Sequence, residues 1–156
     1  MSAVAFRPYL PADAARCAQI FRDAIEFSAA DDYDDDQRAA WAARADDEDA
    51  FGAKLAGQLA IVATLQGFVV AFASLEGAEK LDMLYVDPAA GRQGVGAALV
   101  DALARLAAAR GAKKLTAEAS DVSKPLFDRA GFSAERRSLV QLGDQWLAHT
   151  DRKSVV

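Results

Sequence analysis

Apolar positions along this chain change period near Gly57. Before it, the spacing is helical. Cys17, Ile20, Phe21 and Ala24 fall at i, i+3, i+4 and i+7, which places them on one buried face. Pro11-Ala12-Asp13 opens that helix, with Asp13 as the expected N-cap, and a short strand over residues 3–8 precedes it. The pattern predicts a second helix over 35–45, carrying Trp41, and a short third one over 48–56. After Gly57 the runs become β-branched and aromatic. Residues 58–65 and 68–76 read as strands joined at Gln66-Gly67, and after Gly77 a third strand covers 80–86. Strand alternation would set Asp82, Leu84 and Val86 on one face. Asp87 to Gly91 reads as a loop. A long helix over 95–110 follows, with Leu99, Leu103, Leu106 and Ala107 as its buried stripe and Gly111 as its stop. A strand over 114–119, a short helix over 122–130 (Ser123 as cap, Pro125 in its first turn, Gly131 as its stop) and a strand pair over 132–140 and 145–151 around Gly143-Asp144 complete the pattern.

The order is β, α, α, then three strands, then α, β, α, β, β. Consecutive hairpins form an antiparallel meander. The strand–helix–strand unit from 80–86 to 114–119 requires those two strands to run parallel. The predicted fold class is therefore α/β (α+β): a mixed, mostly antiparallel sheet with flanking helices, in one domain over 1–156.

Composition narrows the function. With 53% hydrophobic residues the chain can build a core. One cysteine, Cys17, allows no internal disulfide, and one histidine, His149, leaves no Cys/His metal cage, so no metal is expected. Apolar runs fall short of the ~18 residues that span a bilayer, and the N-terminus lacks a signal-peptide pattern. The expected location is cytoplasmic, away from membranes. A net charge of -5 argues against nucleic-acid partners. The acids cluster at Asp31, Asp32, Asp34, Asp35 and Asp36 and again at Asp46, Asp47, Glu48 and Asp49. They read either as solvated helix starts or as a field drawing in a cationic ligand.

The most informative stretch is Val86-Asp87-Pro88-Ala89-Ala90-Gly91-Arg92-Gln93-Gly94-Val95-Gly96-Ala97-Ala98-Leu99. It is the end of a strand, a loop and a helix start carrying Gly94-x-Gly96. Free N–H groups at a helix N-terminus hold anions, and glycine lets them approach closely. A diphosphate is a natural guest. A nucleotide P-loop is rejected, since Ala97-Ala98 stand where Lys-Ser/Thr would be needed. A dinucleotide fingerprint fits poorly, because Leu99 takes the third glycine position. A turn that binds nothing is the remaining bland alternative.

This glycine loop resembles the acyl-CoA signature of the GNAT N-acetyltransferase superfamily. The likeness continues through Glu118-Ala119-Ser120, Ser123-x-Pro125-Leu126-Phe127 and Gly131-Phe132. Asp32-Tyr33, Trp41, Leu81 to Val86 and Glu118-Ala119-Ser120 resemble a YafP-like bacterial branch of that superfamily. The resemblance implies acetyl-CoA as acetyl donor. Its pantetheine would lie along Leu84, Tyr85 and Val86, its pyrophosphate on Arg92, Gln93, Gly94, Val95, Gly96 and Ala97, and Ser120 and Phe127 would flank it. It implies direct transfer to a primary amine, with Asp82 as the favoured base, Glu118 as runner-up, and Tyr33 and Trp41 on the acceptor side. Phe127 stands where the family often has an acidic tyrosine. The acceptor is expected to be a small molecule rather than a protein, cationic if the Asp runs face it. Dimerisation is common in such proteins. The alternative function is an acyl-CoA-binding sensor or regulatory module without turnover.

Overall fold

The computed structural model describes residues 4–91, 93–120, 124–129, 132–142 and 145–155. Arg92, Ser123, Gly131, the Gly143-Asp144 turn and the side chains of Glu118, Ser120 and His149 lie outside what is described.

Strand β1 (Val4–Pro8) leads through a 3-10 turn into α1 (Ala14–Asp23), which continues as a wider π turn over Ala24–Ser28. Cys17, Ile20, Phe21 and Ala24 are buried, as their spacing predicts. Asp13 precedes α1 but does not cap it. Its carboxylate instead accepts from both terminal nitrogens of Arg7, at 2.8 and 2.9 Å, and from the Leu10 N–H at 2.9 Å. Two parallel bonds from a guanidinium cation outcompete a single capping bond from an uncharged N–H.

The helix expected over 35–45 is α2 (Asp35–Ala42) plus a 3-10 turn, Ala43–Ala45; α3 is Glu48–Ala56. Asp34 and Asp47 cap these helices by accepting from the Gln37 and Ala50 N–H groups, and Asp35, Asp36, Glu48 and Asp49 fill the first turns. Six of the nine clustered acids are thus at helix starts, where carboxylates meet the positive end of the helix dipole, while Asp31, Asp32 and Asp46 lie in the turns before them.

Next come β2 (Leu59–Leu65), β3 (Phe68–Glu76), β4 (Lys80–Val86), α4 (Val95–Ala109), β5 (Lys114–Ser120), α5 (Lys124–Arg129), β6 (Ser133–Leu142) and β7 (Gln145–Val155). The loop before α4 holds a 3-10 turn at Pro88–Ala90. The strands form one seven-stranded sheet in the order β1-β2-β3-β4-β5-β7-β6, with β4 and β5 its parallel pair. The last two strands extend beyond their expected ends.

Two further expectations fail in instructive ways. Leu106 is 39% exposed. The buried row of α4 is Val95, Leu99, Leu103 and Ala107, an i, i+4 row that drifts ~40° around the helix per turn and leaves Leu106 behind in the last turn. Asp82, in turn, does not share a face with Leu84 and Val86. In the β3–β4 ladder Ser74 pairs with Met83 and Leu75 with Leu81, so Asp82 is the extra residue of a bulge. Leu81, Leu84 and Val86 pack on the α4 side, whereas Met83 and Tyr85 pack toward α1–α3. Asp82 lines a cleft with the latter pair.

Candidate active site

Strands β4 and β5 pair only at Lys80↔Thr116 and Leu81↔Ala117. Beyond that point Glu118, Ala119 and Ser120 pair with Asp151, Thr150 and His149 of β7, and β4 is no longer their neighbour in the ladder. The parallel pair therefore opens toward Leu84, Tyr85 and Val86, leaving main-chain groups available to an extended guest.

At the open end stands the N-terminus of α4. Its first helical bond runs from the Ala98 N–H to the Gly94 carbonyl, at 3.0 Å, so the N–H groups of Val95, Gly96 and Ala97 have no acceptor within the helix. Gly94 precedes them with φ of +74°, in the left-handed region, and a Cβ there would meet nothing within 4 Å. Backbone conformation, not crowding, is what calls for glycine at this position. A Cβ on Gly96 would lie 3.4 Å from Leu126 and 3.5 Å from Val86, so α4 sits close against both. Bare amides beneath open space fit a pyrophosphate. The preceding loop is pinned by Asp87, whose carboxylate accepts from Arg16 at 2.6 Å and from the Ala89 N–H at 3.0 Å. Burial pushes the Asp87 carboxyl up, but these donors outweigh it and hold the group below the usual carboxylate value.

On the other face of β4, Phe21, Arg44, Ala50, Phe51, Lys54, Asp82, Met83 and Tyr85 line a cleft of about 310 Å³, which is small-molecule size. The Asp82 carboxylate is 13% exposed. It accepts from Gln58 Nε2 at 3.0 Å and faces Lys54 Nζ at 3.3 Å. The Tyr85 hydroxyl accepts from the Trp41 indole N–H at 3.3 Å. Burial pushes the Tyr85 phenol up to about 12, against smaller lowering effects of Trp41 and Arg44. Tyr33 and Trp41 are buried and stack edge-on at 5.5 Å, so they reach the cleft through Tyr85 rather than line it. Phe127 is 2% exposed and packs on Phe132 at 4.9 Å, with no hydroxyl to offer.

The fold thus brings Asp82, Tyr85 and Trp41 together on one side of the opening and Gln93 to Ala97 at its end. Arg44, Lys54, Gln58, Phe21 and Phe51 were not anticipated. They come from three helical segments and a turn, and no local spacing links them to β4. Among the described residues no group of three or more His, Cys, Asp or Glu could hold a metal, and no helix is long and apolar enough to cross a membrane.

Residues 29–149 match the family described as acetyltransferase (GNAT) domain. The chain therefore belongs to the GNAT acetyltransferases. Among curated proteins it is 33% identical to the uncharacterized N-acetyltransferase YafP of Escherichia coli (strain K12), over 96% of this chain and 94% of that one. Among solved structures, a GCN5-related N-acetyltransferase from Rhodopseudomonas palustris superposes with a TM-score of 0.97 at 49% identity, covering 100% of this chain and 98% of that one. The yncA protein of Salmonella typhimurium, solved with its cofactor acetyl-CoA, gives a TM-score of 0.66 at 25% identity, covering 99% and 94%. The protein is an N-acetyltransferase of this family.

Proposed function

We propose that this acetyltransferase passes the acetyl group directly to a primary amine of a small molecule bound in the Asp82–Tyr85 cleft. The observation carrying this reading is that the β4–β5 opening lies between the bare amides of α4 and a cleft holding a carboxylate. Acetyl-CoA, when bound, supplies a thioester carbonyl open to attack by nitrogen. Gln93 to Ala97 would grip the phosphates, Leu84 to Val86 the pantetheine, and an N–H near Tyr85 would stabilise the carbonyl oxygen as it gains charge.

An amine arrives as an ammonium and must lose a proton. Asp82 takes that proton; Glu118 on β5 is the second candidate. The bulge is what turns Asp82 toward the cleft. Tyr85 provides the hydroxyl that Phe127 lacks. A phenol that keeps its proton up to about 12 donates a hydrogen bond to a leaving thiolate without protonating it, because a thiol's own value is about 8.5. Cys17 plays no part. It is fully buried, and burial pushes its thiol up to about 12, so no nucleophilic thiolate is available for an acyl-enzyme route.

The test is to incubate the protein with acetyl-CoA and a panel of primary amines while following free thiol, with calorimetry of coenzyme A alongside. Thiol release that depends on the amine, together with saturable coenzyme A binding, is expected. Coenzyme A binding with no amine-dependent release would leave only a binding module.

A further inference from the structure

The cleft carries more positive charge than a site for a purely cationic amine needs. Its charged lining is Arg44, Lys54 and Asp82. None of the acids in the runs that suggested a cationic acceptor lines the cleft, and six of them serve as caps and first turns of α2 and α3. Arg7, Arg16, Arg38 and Arg105 each face a carboxylate. Arg44 pairs with none among the described residues, although Asp46, Asp47, Glu48 and Asp49 follow it closely in sequence. It sits exposed in the 3-10 turn after α2. Its charge nonetheless reaches inward, since it is felt at the Tyr85 phenol. Asp82 lies deeper, at 13% exposure, and its partner Lys54 is the more open of the two, at 43%. The cleft is therefore polarised, cationic at the mouth and anionic at the floor.

We infer that the acceptor is an amine that also carries an anionic group, a carboxylate or a phosphate, which Arg44 holds at the mouth while the amine goes inward to Asp82. A guanidinium offers a planar fork of donors that matches either anion. Held at both ends, such a molecule has its nitrogen directed to the opening between β4 and β5. Lys54 gives up part of its hold on Asp82 to the incoming ammonium and turns to the anion. The argument uses the acetyl-transfer reading only to say which end of the ligand reacts.

Its test is a binding measurement, separate from turnover. ω-Amino acids of increasing chain length and ω-aminoalkyl phosphates are titrated calorimetrically into the protein with coenzyme A and without it. Each is set beside its neutral amide or alcohol and the diamine of the same length. The expected result is at least tenfold tighter binding of one anionic series over both partners. In Arg44→Ala that margin falls below threefold, in Arg44→Lys part of it returns, and in Arg44→Glu the diamine is preferred. Arg44 is exposed, so the variants should fold, and an unchanged melting temperature checks this. Equal binding of acid and amide, a preference for the diamine, or a margin that survives Arg44→Ala would overturn the inference. Failure of the transferase reading would show separately, as thiol release absent for every amine.

Discussion

The two faces of the sheet are built from different residues and do different work. Under α4 the packing is small and aliphatic: Ile61, Ala63, Ala71, Ala73 and Leu75 from the sheet meet Val95, Leu99, Leu103 and Ala107. Alanines let the helix lie close, and its N-terminus is set as a rigid backbone fixture. Under α1–α3 the packing is aromatic: Phe21, Trp41 and Phe72 meet Tyr85 in tilted and edge-on contacts, with Phe51 and Tyr33 packed behind them. Large rings with polar handles leave a cleft and place side chains in it. On the function proposed above, the cofactor is read by main-chain amides on one face and the acceptor by Arg44, Lys54, Asp82 and Tyr85 on the other. A constant ligand can be held by backbone, whereas a particular one needs side chains.

The comparison can be broken at either face. The largest effect is expected at the aliphatic one. Leu103 is fully buried, and Leu103→Ala should cost about 3 kcal/mol in denaturant unfolding without changing the ranking of acceptors. A changed ranking would mean that the faces are not separable.

Asp82→Asn comes next. It should lower kcat about a hundredfold, the usual scale for a general base, while coenzyme A binds as before. A loss below threefold across pH would remove Asp82 from that role.

Gly94→Val should cost about 1–2 kcal/mol, because the left-handed conformation at φ +74° is strained for any side chain. Its KM for acetyl-CoA should rise about tenfold while acceptor KM stays put. An unchanged donor KM would mean that the amides of α4 do not hold the phosphates.

The smallest effect concerns pH. Asp13 is held below the usual carboxylate value chiefly by Arg7, and Asp87 likewise by the Ala89 N–H and Arg16 once its burial is outweighed. Both carboxyls have lower values folded than unfolded. The stability they add is therefore complete above about pH 4 and is lost as pH falls through the lower folded values. Asp13 anchors the start of α1, and Arg16 lies on it. Hydrogen exchange near pH 3 should thus show α1 amides losing protection before those of α4. Simultaneous loss would show that the two faces share one cooperative response to acid.

Much of this was legible in the chain itself. The 3.6-residue spacing from Cys17 to Ala24, the turn at Gln66-Gly67 and the glycines ahead of Val95 are local signals, because helix, hairpin and helix start are decided by residues close in sequence. The pairing of β4 with β5 also followed, since a strand–helix–strand unit of that length leaves one handed solution. The site's chemistry was less accessible. Asp82 could be singled out as an acid on the strand that lines the cleft, but alternation put it on the wrong face, because a bulge depends on how β3 aligns with β4. Asp13 was legible as a helix-start residue, yet its partner proved to be Arg7 across the turn.

By itself, then, the sequence determined the elements, their order and the bare-amide helix start, all set by periodicity and by glycine's backbone freedom. Only the tertiary structure decided which way Asp82 points, that Trp41 donates to Tyr85, and that Arg44 and Lys54 share a cleft with them. Those relations join residues far apart along the chain, and only packing of the helices on the sheet brings them within reach of one another.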